Sequence, residues 1–352
     1  MSQPAATPEL PFLGPSASSD GAAGAADAAA GVSRWADIHG PVHYLDFGGP
    51  ARGPLIVGVH GLAGSAVNWA AIAPLLTSRC RVLALDLAGH GLTRSGRRRT
   101  DVQANRLLLD GFLELVAATP VILMGNSMGG MISLLEAGAA PGRVSGLILV
   151  DPALPFVPAR PDLLVAIVFA AGGLPGLGTA LLRSVHRLPA EAIVSSTLAL
   201  CCEVPARVPP GVIAQHVAVA RERAGFAEAG RDMAIATRSV IVTAGPGGHA
   251  YRQGIAQLSC PVLLLHGERD RLVPVSAARA AARAHPSWSL VVLPGIGHVP
   301  ELEAPSECAD AILSWLDSSG RPAAQAATRS RTPTGGASIR RLARRWRTSD
   351  GR

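Results

Sequence analysis

The stretch LMGNSMGG, residues 123–130, places one serine between glycines directly after the apolar run Val121–Met124. A G-x-S-x-G pattern between a strand and a helix is typical of a tight turn that lifts a serine hydroxyl above a sheet. Gly125 and Gly129 suit such a turn, because a Cβ at either position would collide with neighbouring backbone. Ser127 is therefore the candidate nucleophile. For the bare motif, the alternative is a glycine-rich turn without chemistry.

A serine hydroxyl needs a neighbouring base that takes its proton. His298 stands in LPGIGHVPE directly after the last predicted strand, and Asp270 stands in HGERDRLVP after the preceding strand. Open α/β sheets hold their sites at the carboxyl ends of such strands. The chain order predicts a catalytic triad of Ser127, Asp270 and His298. Asp151, which also ends a predicted strand, is the alternative acid.

An acyl-transfer site also needs donors for a developing oxyanion. The apolar run Leu55–His60 is followed by glycine and leucine, and the backbone N–H of Leu62 is one predicted donor. The second is the N–H of Met128, where the helix after the serine begins and its dipole favours negative charge. Because His298 fills the base role, His60 is expected to be a structural hydrogen-bonding residue.

Short apolar runs separated by helix-length segments extend along most of the chain. Several runs are continuous rather than alternating, which is typical of strands covered on both faces. The predicted strands are Val42–Phe47, Leu55–His60, Val82–Asp86, Val121–Met124, Leu147–Asp151, Val262–His266 and Leu290–Leu293. The predicted helices are Trp69–Leu76, Val102–Ala117, Met128–Ala139, Ser276–Ala284 and Pro305–Leu316. The alternation predicts an α/β fold with a doubly wound, mostly parallel sheet.

The strand–helix alternation stops between Pro152 and Ser259, where proline-rich and helical-looking segments replace it. The economical interpretation is one α/β domain interrupted by a helical cap. The predicted organisation is a flexible Ala/Gly-rich leader at 1–33, a core at 34–152 and 260–317, a helical cap insertion at 153–259, and a basic disordered tail at 318–352.

Together these motifs, from Val42 to Asp317, resemble the α/β-hydrolase superfamily in its serine-nucleophile, cap-bearing form. The resemblance implies a cap domain where the alternation stops. It also implies the following assignments: His60-Gly61-Leu62 as the oxyanion turn, Asp86-Leu87-Ala88-Gly89-His90-Gly91 as the loop after the next strand, Gly125–Gly129 as the nucleophile elbow, Asp270 as the acid and His298 as the base.

Serine at the elbow argues against the haloalkane dehalogenases and epoxide hydrolases of that superfamily, which use aspartate. The expected function is hydrolysis of a small or medium, largely apolar carboxylic ester through an acyl-enzyme. The string GNSMGG, in which Asn126 precedes the serine, resembles that of C–C bond hydrolases of the ring-fission diketone type, which are the alternative. The Leu62–Gly64 turn and Val299 depart from that group. A ligand-binding protein on the same fold is the non-enzyme alternative.

Composition adds limits to this interpretation. The chain has 352 residues with 48% hydrophobic residues, enough for a large core. All basic residues are arginines, and nine of them stand in 321–352 beside one acid, so the remainder is close to neutral. Five cysteines without C-x-x-C spacing, and no phosphate-loop or dinucleotide motif, predict no metal, no cofactor and a reducing cytoplasm.

The basic tail carries a separate expectation. Its segment 337–347 has apolar residues at helical spacing between arginines, a pattern typical of weak contact with an anionic membrane surface. A solvated disordered tail is the favoured interpretation, because short isolated helices are marginal in water. The predicted partner is a small-molecule ester, and no nucleic acid is expected. The oligomeric state is not predicted.

Overall fold

The computed structural model describes residues 31–155, 171–174, 176–245 and 248–329. The predicted leader up to residue 30 and the basic segment 337–347 lie outside the described residues. Among the residues that the structure describes, no helix combines the length and the apolar character needed to cross a membrane.

Eight strands form a single sheet in the order β1-β2-β4-β3-β5-β6-β7-β8. The pairs β1–β2 and β2–β4 are antiparallel and all others are parallel. The strands are β1 Val32–Asp37, β2 Pro41–Gly48, β3 Leu55–Val59, β4 Arg81–Leu85, β5 Val121–Asn126, β6 Val144–Val150, β7 Val262–Gly267 and β8 Ser289–Leu293. The mostly parallel sheet predicted from the sequence is confirmed.

Whether a strand could be predicted from the sequence depends on how deeply the strand is buried. Every residue of β5 and β7 is buried, and continuous apolar runs mark such central strands. The edge strand β1 is mostly exposed and half of its residues, in VSRWAD, are polar, so no apolar run marks it and the sequence did not predict it. It begins at Val32, inside the segment assigned to the flexible leader.

Helices cover both faces of the sheet. They are α1 Ala73–Leu76, α2 Val102–Val116, α3 Met128–Ala139, α4 Leu177–Val185, α5 Ala190–Cys201, α6 Pro210–Arg223, α7 Ala229–Ala244, α8 His249–Ala256, α9 Val275–Ala284, α10 Pro300–Glu303 and α11 Pro305–Arg329, with 3₁₀ turns at Ala66–Trp69 and Pro205–Arg207. One core cluster holds α2, α3 and α9, and a second holds α1 and α11. These are the two layers of a doubly wound fold.

Between β6 and β7 the described residues form the helices α4–α8, in the interval 153–259 that is called the insertion below. Within it α4 packs against α7 and α5 against α6. The insertion places side chains above the carboxyl edge of the sheet, where strands β3, β5, β7 and β8 end.

The last helix, α11, continues to Arg329. The prediction that a disordered tail begins at residue 318 is therefore wrong for residues 318–329, which are helical. The sequence from 323 to 329, AAQAATR, is rich in strong helix formers, so a helix already anchored on the core continues through it.

Candidate active site

Ser127 lies at the turn that joins β5 to α3. Its backbone angles, φ 51° and ψ −116°, fall in a region that L-residues avoid. The surrounding backbone holds this conformation. The Ser127 N–H donates to Val150 O at 3.0 Å, and the Ser127 carbonyl accepts from the N–H groups of Met131 and Ala153 at 3.1 and 2.9 Å. Strain retained in this way is typical of functional turns.

Two glycines let α3 approach the sheet closely enough to make this turn. A Cβ on Gly125 would lie 2.6 Å from Gly129 O, and a Cβ on Gly129 would collide with Val59 O. Larger residues at these positions would push the helix away from β3 and β5. Close packing of the helix on the sheet therefore requires glycine at both positions of G-x-S-x-G.

His298 and Asp270 form a buried hydrogen-bonded pair. The Nδ1–H of His298 donates to Asp270 Oδ2 at 2.7 Å. The other carboxylate oxygen of Asp270 accepts from the N–H groups of Leu272 and Val273 at 2.7 and 3.0 Å. The carboxylate is therefore fixed in orientation. Because it accepts the Nδ1–H of His298, Nε2 is the ring nitrogen that can act as a base.

The electrostatics of this pair favour an ion pair. Burial opposes the charge on His298, but the facing Asp270 carboxylate raises the pKa of the imidazole above its ordinary value. Burial likewise opposes the charge on Asp270, but His298 holds the pKa of that carboxyl below its ordinary value. Asp270 thus stays ionised and stabilises a protonated His298.

Asp151, the alternative acid, lies next to Asp270 and His266. Among the described residues, no hydrogen bond joins Asp151 to His298. Its Oδ1 accepts from Gly267 N–H at 3.0 Å and lies 3.3 Å from His266 Nε2. Complete burial, reinforced by the neighbouring Asp270 charge, raises the pKa of Asp151 well above its ordinary value. Two adjacent buried carboxyls do not both ionise, so Asp151 is the neutral one.

The cluster of Asp151, His266 and Asp270 has metal-ligating residue types within a short distance. Each of the three side chains already makes a hydrogen bond, however. His266 Nε2–H donates to Val273 O at 2.9 Å, and Asp270 accepts from His298. These hydrogen bonds favour a role in orienting Asp270 over metal binding.

The predicted oxyanion donors come from two adjacent turns. The N–H of Met128 is the first of α3 and has no intrahelical acceptor. The Leu62 N–H follows Gly61, where a Cβ would lie only 2.7 Å from Asn126 Oδ1. Among the backbone hydrogen bonds of the described residues, neither N–H has a protein acceptor. Leu62 lines the same cavity as Ser127, and Met128 directly follows that serine in the chain.

His60 has the structural role expected from the sequence. Its Nε2 accepts from the Leu87 N–H at 3.1 Å, and its Nδ1–H donates to Gly61 O at 2.7 Å. Both ring nitrogens are therefore used in holding the oxyanion turn. Complete burial lowers the pKa of His60, which keeps the ring neutral.

Asp86 holds the loop after β4 against that turn. It accepts from the N–H groups of Ala66 and Leu92 at 2.6 and 2.7 Å, and from His43 Nδ1–H at 2.7 Å. The loop that the sequence resemblance marked at Asp86 is thus a buried anchor for the first turn of the site.

Asn126 connects the nucleophile strand to the base loop. Its side-chain amide donates to Val150 O at 3.2 Å and to His298 O at 3.1 Å. The sequence alone treated Asn126 as a substrate-class marker, whereas the structure gives its amide donors to the backbone beside the histidine. Only the spatial proximity of β5 and the loop after β8 shows this role.

A cavity of about 300 Å³ lies between the sheet edge and the insertion. The core contributes Ser127, His298 and Leu62 to its wall. The insertion contributes mainly apolar side chains, among them Leu182, Val185, Ile193, Val194, Leu198, Val219 and Met233. The size is at the lower end of ligand-binding cavities, and the lining suits an apolar group.

Polar residues of the insertion also line this cavity, among them His186, His216 and Arg223, which the sequence did not single out. His186 and His216 each have a buried Nε2 without a partner in the described structure. Burial lowers the pKa of His216 to about 4, so the ring is neutral. Arg223 donates to the carbonyls of Gly91 and Gly89 at 2.8 and 2.9 Å and thereby joins α6 to the loop after β4.

The structure therefore brings Asp270 and His298 into direct contact and places Ser127 with His298 on one cavity wall. The hydrogen bonds of the described residues do not include one between Ser127 Oγ and His298 Nε2. Such bonds are often long in unliganded sites and shorten when substrate binds.

Comparison with known proteins identifies the family of the fold. The family described as alpha/beta hydrolase fold matches residues 54–305. The chain belongs to this family. A dihydrolipoyllysine-residue acetyltransferase component of the acetoin cleaving system of Pseudomonas putida is 30% identical over 302 residues, covering 84% of this chain and 72% of its own.

Two further relatives are lipases by name. The monoacylglycerol lipase of Mycolicibacterium smegmatis is 29% identical over 274 residues, covering 74% of this chain and 87% of its own. The crystal structure of a membrane phospholipase A, described as a bacterial virulence factor, matches with a TM-score of 0.69 and 25% identity, covering 85% of this chain and 90% of its own. The protein is thus a hydrolase of the α/β fold, as the sequence predicted.

Proposed function

We propose that this protein is a serine hydrolase that cleaves a small or medium, largely apolar carboxylic ester. The observation that carries the proposal is the position of Ser127. It occupies a strained turn on the wall of an apolar cavity, and His298, paired with the buried Asp270, borders the same cavity.

The first half of the reaction forms an acyl-enzyme. His298 Nε2 takes the hydroxyl proton of Ser127 while Oγ attacks the ester carbonyl carbon. The negative charge moves to the carbonyl oxygen, which accepts from the Leu62 and Met128 amides. Asp270 stabilises the imidazolium. The intermediate then collapses, the C–O bond to the alcohol breaks, and His298 returns its proton to the leaving alkoxide.

Water completes the cycle. His298 takes a proton from a water molecule, whose oxygen attacks the acyl carbon on Ser127 Oγ. The second tetrahedral intermediate uses the same two amides. Its collapse breaks the Oγ–acyl bond, and the proton held by His298 goes to Oγ. The products are a carboxylic acid and an alcohol, and the enzyme is regenerated.

The insertion supports an apolar substrate. The large side chains that it contributes to the cavity are chiefly leucine, valine, isoleucine and methionine, and both histidines there have pKa values lowered by burial and are neutral. Apolar lining stabilises an acyl chain by removing it from water, at about 0.8 kcal/mol for each buried CH₂. The lipase names of two relatives support the same class of ester.

C–C bond hydrolysis and ligand binding are the competing functions. The sequence feature that suggested C–C cleavage was Asn126, but both of its described donor contacts go to backbone carbonyls. That arrangement serves any chemistry that needs His298 in place. No observation of the described residues favours C–C cleavage over ester hydrolysis.

A substrate panel tests the proposal. Purified protein is assayed with p-nitrophenyl esters of increasing chain length, a lactone and a vinylogous diketone. We expect ester hydrolysis that Ser127→Ala abolishes and that Ser133→Ala retains. Ser133 is a suitable control because it is a buried serine of α3 whose hydroxyl only donates to Gly129 O. Circular dichroism of both variants checks the fold.

Two outcomes would overturn the proposal. Turnover of the diketone with no ester cleavage would assign the C–C reaction. Failure to turn over any member of the panel, with tight binding of an ester analogue, would assign a binding protein.

A further inference from the structure

The insertion carries a row of exposed apolar residues beside the cavity. Leu174, Leu177, Leu181, Val185 and Leu188 are 49%, 60%, 42%, 37% and 49% exposed. Large aliphatic side chains with this exposure are ordinary when scattered, but five within fifteen residues are a local concentration that is typical of an interaction surface. These five residues are called the aliphatic stripe below.

The stripe lies on one side of α4 and its flanks. The spacing of its members is three or four residues, which places Leu177, Leu181 and Val185 on one face of the helix. The helix is held by other faces. Gly178 is buried, where a Cβ would collide with Gly172 O, and the Arg183 stem packs on Gly230 of α7. The stripe therefore faces outward from a fixed helix.

The same helix reaches the cavity. Leu182 and Val185 line the space that also contains Ser127, and Val185 belongs to the stripe as well. The stripe thus continues from the outer surface of the insertion to the wall of the cavity. An apolar molecule held on this surface has a short route to the serine.

The charged residues nearest the stripe in the sequence are mostly arginines. From 171 to 190 they are Arg183 and Arg187, and the first acid after them, Glu191, forms an ion pair with Arg221. Both arginines are exposed. An outward apolar face accompanied by arginines is the pattern of a helix that lies in the interface of a lipid layer with anionic headgroups. Two copies of the chain packed through this face would instead bring like charges together.

We propose that the aliphatic stripe docks on an anionic lipid surface and orients the cavity toward it. This proposal rests on the proposed function only in naming a lipid ester as the substrate that such docking would deliver. Docking itself can be measured without turnover. The stripe and the basic segment 337–347 are separate in sequence, so a change in the stripe leaves that segment intact.

Flotation of the full-length protein with vesicles tests the docking. Vesicles of phosphatidylcholine, alone and mixed with phosphatidylglycerol, are compared for wild type and for the double variant Leu177→Gln/Leu181→Gln. We expect the double variant to lose about tenfold in partitioning onto the mixed vesicles, because two aliphatic side chains no longer enter the interface. Arg183→Gln/Arg187→Gln should reduce binding to mixed vesicles and leave the weaker binding to phosphatidylcholine unchanged.

The matched control is Leu107→Gln/Leu115→Gln on α2. These two leucines are 58% and 59% exposed, as much as the stripe residues, but they belong to helix α2 of the core and not to the insertion. The control should float like wild type. Equal flotation of the stripe variant and wild type would overturn the proposal. So would a dimer in sedimentation that only the stripe variant loses, since the occupant would then be a second copy.

Hydrolysis distinguishes this proposal from the proposed function. A short water-soluble p-nitrophenyl ester should be cleaved equally by wild type and stripe variant, while cleavage of a monoacylglycerol embedded in mixed vesicles should fall with flotation. If the wild-type protein does not cleave the soluble ester, that result contradicts the proposed function alone. Unchanged cleavage of the embedded ester by the stripe variant would contradict the docking proposal alone.

Discussion

The loops at the carboxyl edge of the sheet and the helices of the insertion are built by different means. Each candidate catalytic group at the sheet edge is fixed by buried hydrogen bonds, as Asp270 is by two backbone N–H groups and His298. The insertion presents mostly apolar side chains to the cavity and leaves others exposed on its outer face. Under the proposed function, this difference assigns the reaction geometry to the sheet edge and the contacts that select the substrate to the insertion.

Substitution of the two neighbouring acids, Asp270 and Asp151, should give the largest difference in activity. Asp270→Asn should lower kcat/KM for a soluble ester by about 10⁴-fold, because an amide cannot hold the imidazole tautomer or stabilise the imidazolium. Asp151→Asn should cause little change, because the amide resembles the neutral carboxyl that the structure indicates and its oxygen still accepts from Gly267 N–H. Steady-state kinetics on both variants measures the contrast.

Thermal melting of the two variants is the control, since both substitutions preserve volume. Comparable melting with unequal activity supports Asp270 as the acid. If Asp151→Asn costs as much activity as Asp270→Asn, the assignment of the acid is wrong.

The pH dependence of activity tests the His298–Asp270 pair and should show a smaller change than the substitution of Asp270. His298 must be neutral to take the Ser127 proton, and Asp270 raises its pKa above the ordinary value of 6.5. Activity should therefore fall about tenfold for each pH unit below a midpoint that lies above 6.5. In the residual activity of Asp270→Asn, the midpoint should move to lower pH. A wild-type midpoint at or below 6.5 would contradict the ion pair.

A substitution in the insertion should change selectivity while leaving the chemistry intact. Leu182→Trp narrows the cavity and should lower kcat/KM for a long-chain p-nitrophenyl ester by about tenfold, with the acetate ester little affected. The neighbouring Leu181 is exposed and is not among the described residues that line the cavity, so Leu181→Trp is the matched control. Equal losses on short and long esters would mean that the insertion also holds the catalytic geometry.

Sequence reasoning succeeded where a strong local pattern coincided with a strand end. Continuous apolar runs marked the buried strands β5 and β7, and the loops after β7 and β8 contain Asp270 and His298, which form a buried hydrogen-bonded pair. The helix predicted at Met128–Ala139 has those bounds in the structure. These features depend on burial of one continuous stretch, which composition and periodicity record directly.

Sequence reasoning failed for elements and side chains whose position depends on contacts with residues distant in the sequence. The exposed edge strand β1 has no apolar run, and it pairs only because β2 offers a free edge. Arg223 reaches carbonyls more than a hundred residues away, and Asn126 holds the backbone of His298 across 172 residues. Periodicity along the chain carries no record of such partners.

Labelling with a fluorophosphonate probe tests the central claim, that Ser127 is an activated nucleophile, most directly. The account predicts one covalent adduct, located by mass spectrometry on the peptide that contains Ser127. It should be present in Ser133→Ala and absent in Ser127→Ala. A wild-type protein that takes no label, or an adduct that persists in Ser127→Ala, would contradict the account.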